Sequence, residues 1–186
     1  MAAASWIPVV STALGAVIAL GGGLLAGARN DRGQRRRDRE SDRLKTYVDF
    51  ALALDTAHAA LREVARTPSG DASRRVAASA AVHESGLYGV RERLLMSGSP
   101  ALVVSGEAAF GRLIDIRNAV RSGVMVSTTE LHDVYHPFAQ ALWRFRIVAR
   151  VELGQRELSP GDLDREDWSE RAGCALCGQI SGPPAL

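Results

Sequence analysis

Apolar residues recur every three to four positions over most of the chain, in segments separated by short runs of glycine, proline and serine. This period is typical of amphipathic helices. It predicts four helices, at about residues 35–66, 72–96, 100–122 and 128–152. No segment shows the sustained alternation of a β-strand. Because short connections favour antiparallel neighbours, we expect an all-α fold in which residues 44–154 form an antiparallel four-helix bundle.

Capping and breaking residues set the expected helix ends. Ser99 and Pro100 have the form of an N-cap and a first helical residue. Ser127-Thr128-Thr129-Glu130 has the form of a capping box, and Gly154 is placed to end the last long helix. After it, residues 155–186 are polar. We expect one short helical turn there, from Ser159 to Arg171, and a frayed tail.

The N-terminal segment has a different character. From Ile7 to Ala28 there is no charged side chain over 22 residues, which as a helix would cross a hydrocarbon core of about 30 Å. Residues 1–28 are therefore predicted to be a transmembrane anchor, and residues 29–43 a basic flank that continues as helix. Eight basic and four acidic residues follow the span up to Lys45, and only the α-amino group precedes it. Basic flanks stay in the cytoplasm, so we expect an external N-terminus and a cytoplasmic C-terminal domain.

A cleaved signal peptide is the alternative interpretation of the same segment. Ala26-Gly27-Ala28 fits the small-x-small pattern of a cleavage site, which would release a secreted helical protein beginning after Ala28. The absence of a basic residue before the apolar stretch, and the length of that stretch, favour the anchor.

Small residues repeat every four positions along one face of the expected anchor. Such a face lets two helix backbones approach closely, which predicts a homodimer. The residues of this face are Ser11, Gly15, Ala19, Gly23 and Gly27.

Charge narrows the expected partners. The formal net charge is only +2, and of the 23 basic residues Lys45 is the single lysine. Acidic residues interrupt the arginine-rich flank, and no aromatic side chain within it offers a stacking surface for bases. We therefore expect contact with the lipid bilayer and with a protein partner, and no binding of nucleic acid.

Two pairs of residues could bind a metal ion. His132 and His136 are four apart on a predicted helix, a spacing that places both on one face. Cys174 and Cys177 have the spacing of half a zinc site. About 40 residues separate the pairs, and nothing after Gly154 indicates that the chain folds back. The prediction is therefore no bound metal and no cofactor; a redox role for the cysteines lacks the expected βαβ context.

His58 and His83 lie on apolar stripes of two neighbouring helices, at positions where an antiparallel hairpin would bring them to similar height. A pH-responsive pair is one interpretation, and two separate hydrogen-bonded core residues are the other. The sequence contains no phosphate-binding loop, nucleophile elbow or dinucleotide fingerprint. We therefore predict a protein without catalytic residues.

The layout resembles uncharacterised single-span, membrane-anchored helical proteins of high-GC actinobacteria. The resemblance rests on Trp6-Ile-Pro8, the Arg-rich flank, Arg91-Glu-Arg-Leu-Leu with Gly98-Ser-Pro100, and Tyr135-His-Pro137 through Leu142-Trp-Arg144. It implies no activity or ligand. The expected function is a non-enzymatic, membrane-tethered module that recruits or scaffolds a protein partner. The alternative is a metal- or pH-responsive sensor that uses His132 and His136, or His58 and His83.

Overall fold

The computed structural model describes the backbone of residues 7–177, and the side chains of residues 34, 37, 38 and 40–177. Within residues 7–177 it has five α-helices and no strand, which confirms the all-α fold class. A short 3₁₀ helix follows at Pro160–Leu163. The α-helices are α1 (Ile7–Arg66), α2 (Asp71–Glu84), α3 (Leu87–Ser97), α4 (Pro100–Arg121) and α5 (Thr129–Glu152).

The chain divides into two compact units, Met1–Asp42 and Arg43–Leu186. The first contains the N-terminal part of α1. In the part of the chain that the structure describes, no helix combines the length and the apolar character needed to cross a membrane. The side chains of the expected anchor, and with them the Ser11–Gly27 face, lie outside the described residues. The anchor and the homodimer therefore stay predictions.

In the second unit the long helices run antiparallel to α5. Glu152, at the end of α5, accepts hydrogen bonds from Tyr47 of α1 (2.6 Å) and from Ser99, the residue before α4. At the opposite end of the unit, the backbone N–H of Val126 donates to the carbonyl of Ala65 (3.2 Å). The start of α4 and Tyr47 of α1 therefore lie beside the end of α5, and the end of α1 lies beside the loop before α5.

The predicted second helix is two helices. The pattern over residues 72–96 indicated one continuous helix, but α2 ends at Glu84 and α3 begins at Leu87. Gly86 lies between them with φ +70°, a left-handed conformation that glycine adopts without a steric penalty. The buried residues of α2 are Ala78 and Val82, whereas Val76 of the predicted apolar face is 71% exposed. The apolar period over residues 72–96 therefore revealed neither the turn nor the buried face of α2.

The helix caps agree with the sequence in part. Ser99 caps α4 by accepting a hydrogen bond from the N–H of Leu102 (3.3 Å), with Pro100 as the first helical residue, as predicted. The prediction of a capping box over Ser127–Glu130 at the start of α5 was wrong. The N-cap is Thr128, and its hydroxyl donates to the carbonyl of Met125 (3.1 Å) instead of capping the helix.

One apolar core joins the helices of the second unit. Phe50 of α1 and Phe145 of α5 meet edge-on with ring centroids 5.1 Å apart. Gly106 lets α4 approach them, since a Cβ there would lie 3.3 Å from Phe50 and 2.5 Å from Leu94. The largest fully buried apolar side chains are Phe50, Phe138, Phe145, Leu54, Leu61, Leu87, Leu94, Leu102, Leu113, Ile116 and Val82.

Candidate metal centre

The N-terminal half of α5 carries the two histidines of the candidate site. His132 and His136 are one helical turn apart, so both rings project from the same face, with centroids 5.9 Å apart. His132 is half-buried, whereas His136 is only 2% exposed. This buried polar ring sits within an otherwise apolar stripe, and burial of that kind requires polar partners.

The segment after α5 folds back along this helix. Trp168 stacks on Trp143 of α5, with ring centroids 4.6 Å apart and planes 20° from parallel. Tyr135 donates a hydrogen bond to Glu170 (2.6 Å), and Arg171 forms an ion pair with Asp133 (3.0 Å). The sequence indicated no such return, and it predicted a helical turn over Ser159–Arg171 where only Pro160–Leu163 is helical, as 3₁₀.

This return brings the two cysteines to the two histidines. Each of His132, His136, Cys174 and Cys177 offers one ligand atom, and the four atoms lie within 4.8 Å of one another. His132 Nδ1 lies 3.0 Å from Cys174 Sγ. In a tetrahedral zinc site with bonds of about 2.0–2.3 Å, ligand atoms lie roughly 3.3–3.8 Å apart. The separations in the cluster, 3.0 Å for this pair and no more than 4.8 Å for the set, bracket that range, so small side-chain movements would form such a site.

Hydrogen bonds to backbone carbonyls fix both imidazoles. His136 Nδ1 is 2.8 Å from the carbonyl oxygen of Ser169, and His132 Nε2 is 3.3 Å from that of Val126. Because a carbonyl only accepts, each of these nitrogens carries the proton when the imidazole is neutral. The other nitrogen then offers its lone pair, and it is this nitrogen that faces the cysteines. A carbonyl behind a ligating histidine is the usual outer partner in metal sites.

The second nitrogen of His136 lies near Cys174 but forms no hydrogen bond of good geometry in the part of the chain that the structure describes. This atom, Nε2, is buried. An unsatisfied buried nitrogen costs about 1–3 kcal/mol, so the native state should supply it with a partner. A metal ion shared with the cysteines would be one.

The surroundings of the two cysteines shift their pKa values in opposite directions. Burial raises the pKa of the Cys174 thiol, but the backbone N–H groups of Cys177 and Leu176, and the His136 side chain, outweigh it and lower the value to about 6. Burial and the neighbouring Cys174 raise the pKa of Cys177. The backbone turn therefore stabilises one thiolate, the form that binds metals. Both cysteines are free rather than joined in a disulfide.

The other candidate residues of the sequence are not part of this centre. His58 stacks on Tyr135, with ring centroids 5.1 Å apart, whereas the ring neighbour of His83 is Tyr88, at 6.3 Å. No ring contact joins His58 to His83 among the described residues. His58 is partly buried, but His83 is exposed, so the placement of His83 on a core-facing stripe was wrong. The two histidines therefore have separate surroundings.

No family model, no curated protein and no solved structure matches the chain. The chemistry proposed for the centre therefore rests on its geometry.

Proposed function

We propose that the chain is a non-enzymatic helical module whose C-terminal segment is held to α5 by one zinc ion. The ligands would be His132 Nδ1, His136 Nε2 and the thiolates of Cys174 and Cys177. The observation that carries the proposal is the convergence of these four atoms within 4.8 Å, with both imidazoles already held by carbonyls on their far side.

The donor set favours zinc over other ions. Two thiolates and two imidazoles in a tetrahedral arrangement suit Zn²⁺, which takes nitrogen and sulfur ligands readily. Magnesium and calcium prefer oxygen ligands, and none of the four donors is an oxygen. The Cys-x-x-Cys spacing on one side and the His-x-x-x-His spacing on the other are each compatible with binding one ion.

Four protein ligands indicate a structural role for the ion. Catalytic zinc sites keep a coordination position for water or substrate, and a site with four protein side chains closes it. The ion would instead link α5 to a segment about 40 residues further along the chain, which reduces the freedom of the unfolded or undocked state. This supports the expectation of a protein without catalytic activity.

We further propose that this module is the recruiting part of the membrane-tethered protein expected from the sequence, with a cytoplasmic C-terminal domain. The two free cysteines support that compartment, because the cytosol keeps thiols reduced and available to a metal. A C-terminal reporter fusion tests the orientation. Activity of the reporter inside the cell supports the proposal, and activity only outside it overturns the cytoplasmic assignment.

Zinc content tests the metal centre. The full-length chain, purified without chelator, should contain about one zinc ion per chain by elemental mass spectrometry, and Cys174→Ser and His136→Ala should contain little. His83→Ala is the matched control and should keep the wild-type content. Because none of the four ligands belongs to the large apolar core, the ligand variants should retain their helical circular dichroism. A wild-type chain that neither contains nor takes up zinc would contradict the proposal.

A further inference from the structure

Beside the candidate metal centre, a cavity of about 140 Å³ lies between α1, α4 and α5. Of the four proposed metal ligands only His132 lines it. Its apolar walls come from all three helices and from the loop before α5, and they comprise Leu61, Ile116, Val120, Val126 and Leu131. A cavity of about 150 Å³ lined by such side chains holds a benzene molecule.

The polar lining residues differ in what they can offer to a ligand. Tyr135 donates its hydroxyl proton to Glu170, and the two nitrogens of His132 contact Cys174 and the carbonyl of Val126. In contrast, His58 and Arg62 make no hydrogen bond or ion pair within the described part of the chain. These two groups are therefore the ones in the lining with unused hydrogen-bonding capacity.

His58 and Arg62 have different charges at neutral pH. Burial foremost, and the nearby Arg62 second, lower the pKa of His58 to about 4. The His58 imidazole is thus neutral at pH 7, and it packs against Tyr135 and Phe138 with both ring distances 5.1 Å. Arg62 is exposed and charged at the rim. The lining consequently combines apolar walls with two groups available to a ligand, the neutral His58 imidazole and the Arg62 cation. The nearby Glu170 carboxylate acts on His58 in the opposite sense to Arg62, but its own charge is held by hydrogen bonds from Tyr135 and Arg165.

We infer that this cavity binds a small carboxylic acid whose apolar body is about the size of one aromatic ring. The body would lie among the apolar walls. The carboxylate would accept hydrogen bonds from the Arg62 guanidinium, which forms two parallel bonds with such a group, and from His58. An anion suits this site better than a neutral molecule. Burying the apolar body would leave the negative charge beside Arg62, which has no ion-pair partner among the described residues.

Benzoate is a suitable probe, and benzamide is its uncharged counterpart of nearly the same shape. We expect the full-length chain to bind benzoate saturably at one site by ligand-observed NMR or calorimetry, and to bind benzamide at least about tenfold more weakly. Arg62→Gln should weaken benzoate about tenfold, the loss expected for one charge-assisted contact.

Arg66→Gln is the matched control for that variant. Arg66 is also exposed, one helical turn further along α1, and forms an ion pair with Glu63 (3.1 Å). Its loss should leave benzoate affinity unchanged. Three results would overturn the inference: benzoate does not bind saturably, benzoate and benzamide bind with equal affinity, or both arginine variants lose the same amount of benzoate affinity. The metal proposal would be unaffected by any of these results, since its test reads zinc content.

Discussion

Replacing Trp168 with alanine should weaken zinc binding although Trp168 is not a proposed ligand. Trp168 stacks on Trp143, and Arg165 lies over the same Trp143 ring, 5.0 Å from its centroid. This stack fixes the returning segment to α5 six residues before Cys174. Both cysteines reach the histidines only when the segment is docked. In a variant that favours the undocked state, the unfavourable free energy of docking therefore reduces the observed free energy of zinc binding.

The size of the effect follows from the contact. An aromatic pair contributes about 0.5–1.5 kcal/mol beyond its buried area. Half burial of a tryptophan removes roughly 80 Å² of apolar surface from water, worth about 2 kcal/mol. The docked state therefore loses about 3 kcal/mol, which corresponds to at most about a 150-fold weaker zinc affinity.

Competition between the protein and a chromophoric zinc chelator measures this affinity without relying on tryptophan fluorescence. Trp168→Phe retains a stacking ring and should lose less than about tenfold. Leu163→Ala is a control in the same segment, since Leu163 lies in the 3₁₀ helix and is 42% exposed. The reasoning is refuted if Trp168→Ala binds zinc within about threefold of the wild-type chain, or if Trp168→Phe loses as much as Trp168→Ala.

Three further predictions concern the bundle. Gly106→Ala should lower the free energy of unfolding by about 1–2 kcal/mol in urea denaturation, because the new Cβ would collide with buried Leu94 and crowd Phe50; a stabilised variant would show that the core relaxes. Arg91→Gln should cost about 1–2 kcal/mol, since Arg91 makes two 2.6 Å hydrogen bonds to Glu107 and lies over Phe110, whereas Arg112→Gln, from an exposed pair with Asp115, should cost less than about 0.5 kcal/mol. In zinc-free protein, the free energy of unfolding should fall between about pH 6.5 and pH 4, because folding lowers the pKa of His58 to about 4. The stabilisation is complete above the pKa of the unfolded chain and is lost as pH falls towards the pKa of the folded one, on the order of 3 kcal/mol in total. His58→Leu should flatten this loss, and identical pH profiles of variant and wild type would contradict the argument.

The helices were predictable because their apolar side chains serve one shared core. Leu54 and Leu61 lie seven residues apart on α1 and are both buried, so there the period seen in the sequence is the period of the packing. In α2 it is not, because Val76 is 71% exposed and the buried residues are Ala78 and Val82. The predicted helix ends at Ser99 and Gly154 were also readable, because each depends on a local interaction within a few residues. The break at Gly86 was not, since glycine occurs inside helices as well as between them.

The candidate centre depends on contacts that have no period. The returning segment is held by a tryptophan pair, a tyrosine–glutamate hydrogen bond and a backbone carbonyl at Ser169, between positions 25 to 35 residues apart. None of these contacts creates an apolar stripe, so the sequence indicated a loose polar tail. Trp168, a large aromatic residue in that tail, was the available signal, because tryptophan is rarely left without packing partners.

X-ray absorption at the zinc edge tests the metal centre most directly, because it counts the atoms bound to the ion and identifies their elements. For the full-length chain loaded with one equivalent of zinc, we predict two sulfur neighbours at about 2.3 Å and two nitrogen neighbours at about 2.0–2.1 Å. The sulfur shell should decrease by one atom in Cys174→Ser. A spectrum with only nitrogen and oxygen neighbours, or one unchanged by that substitution, would contradict a centre built from His132, His136, Cys174 and Cys177.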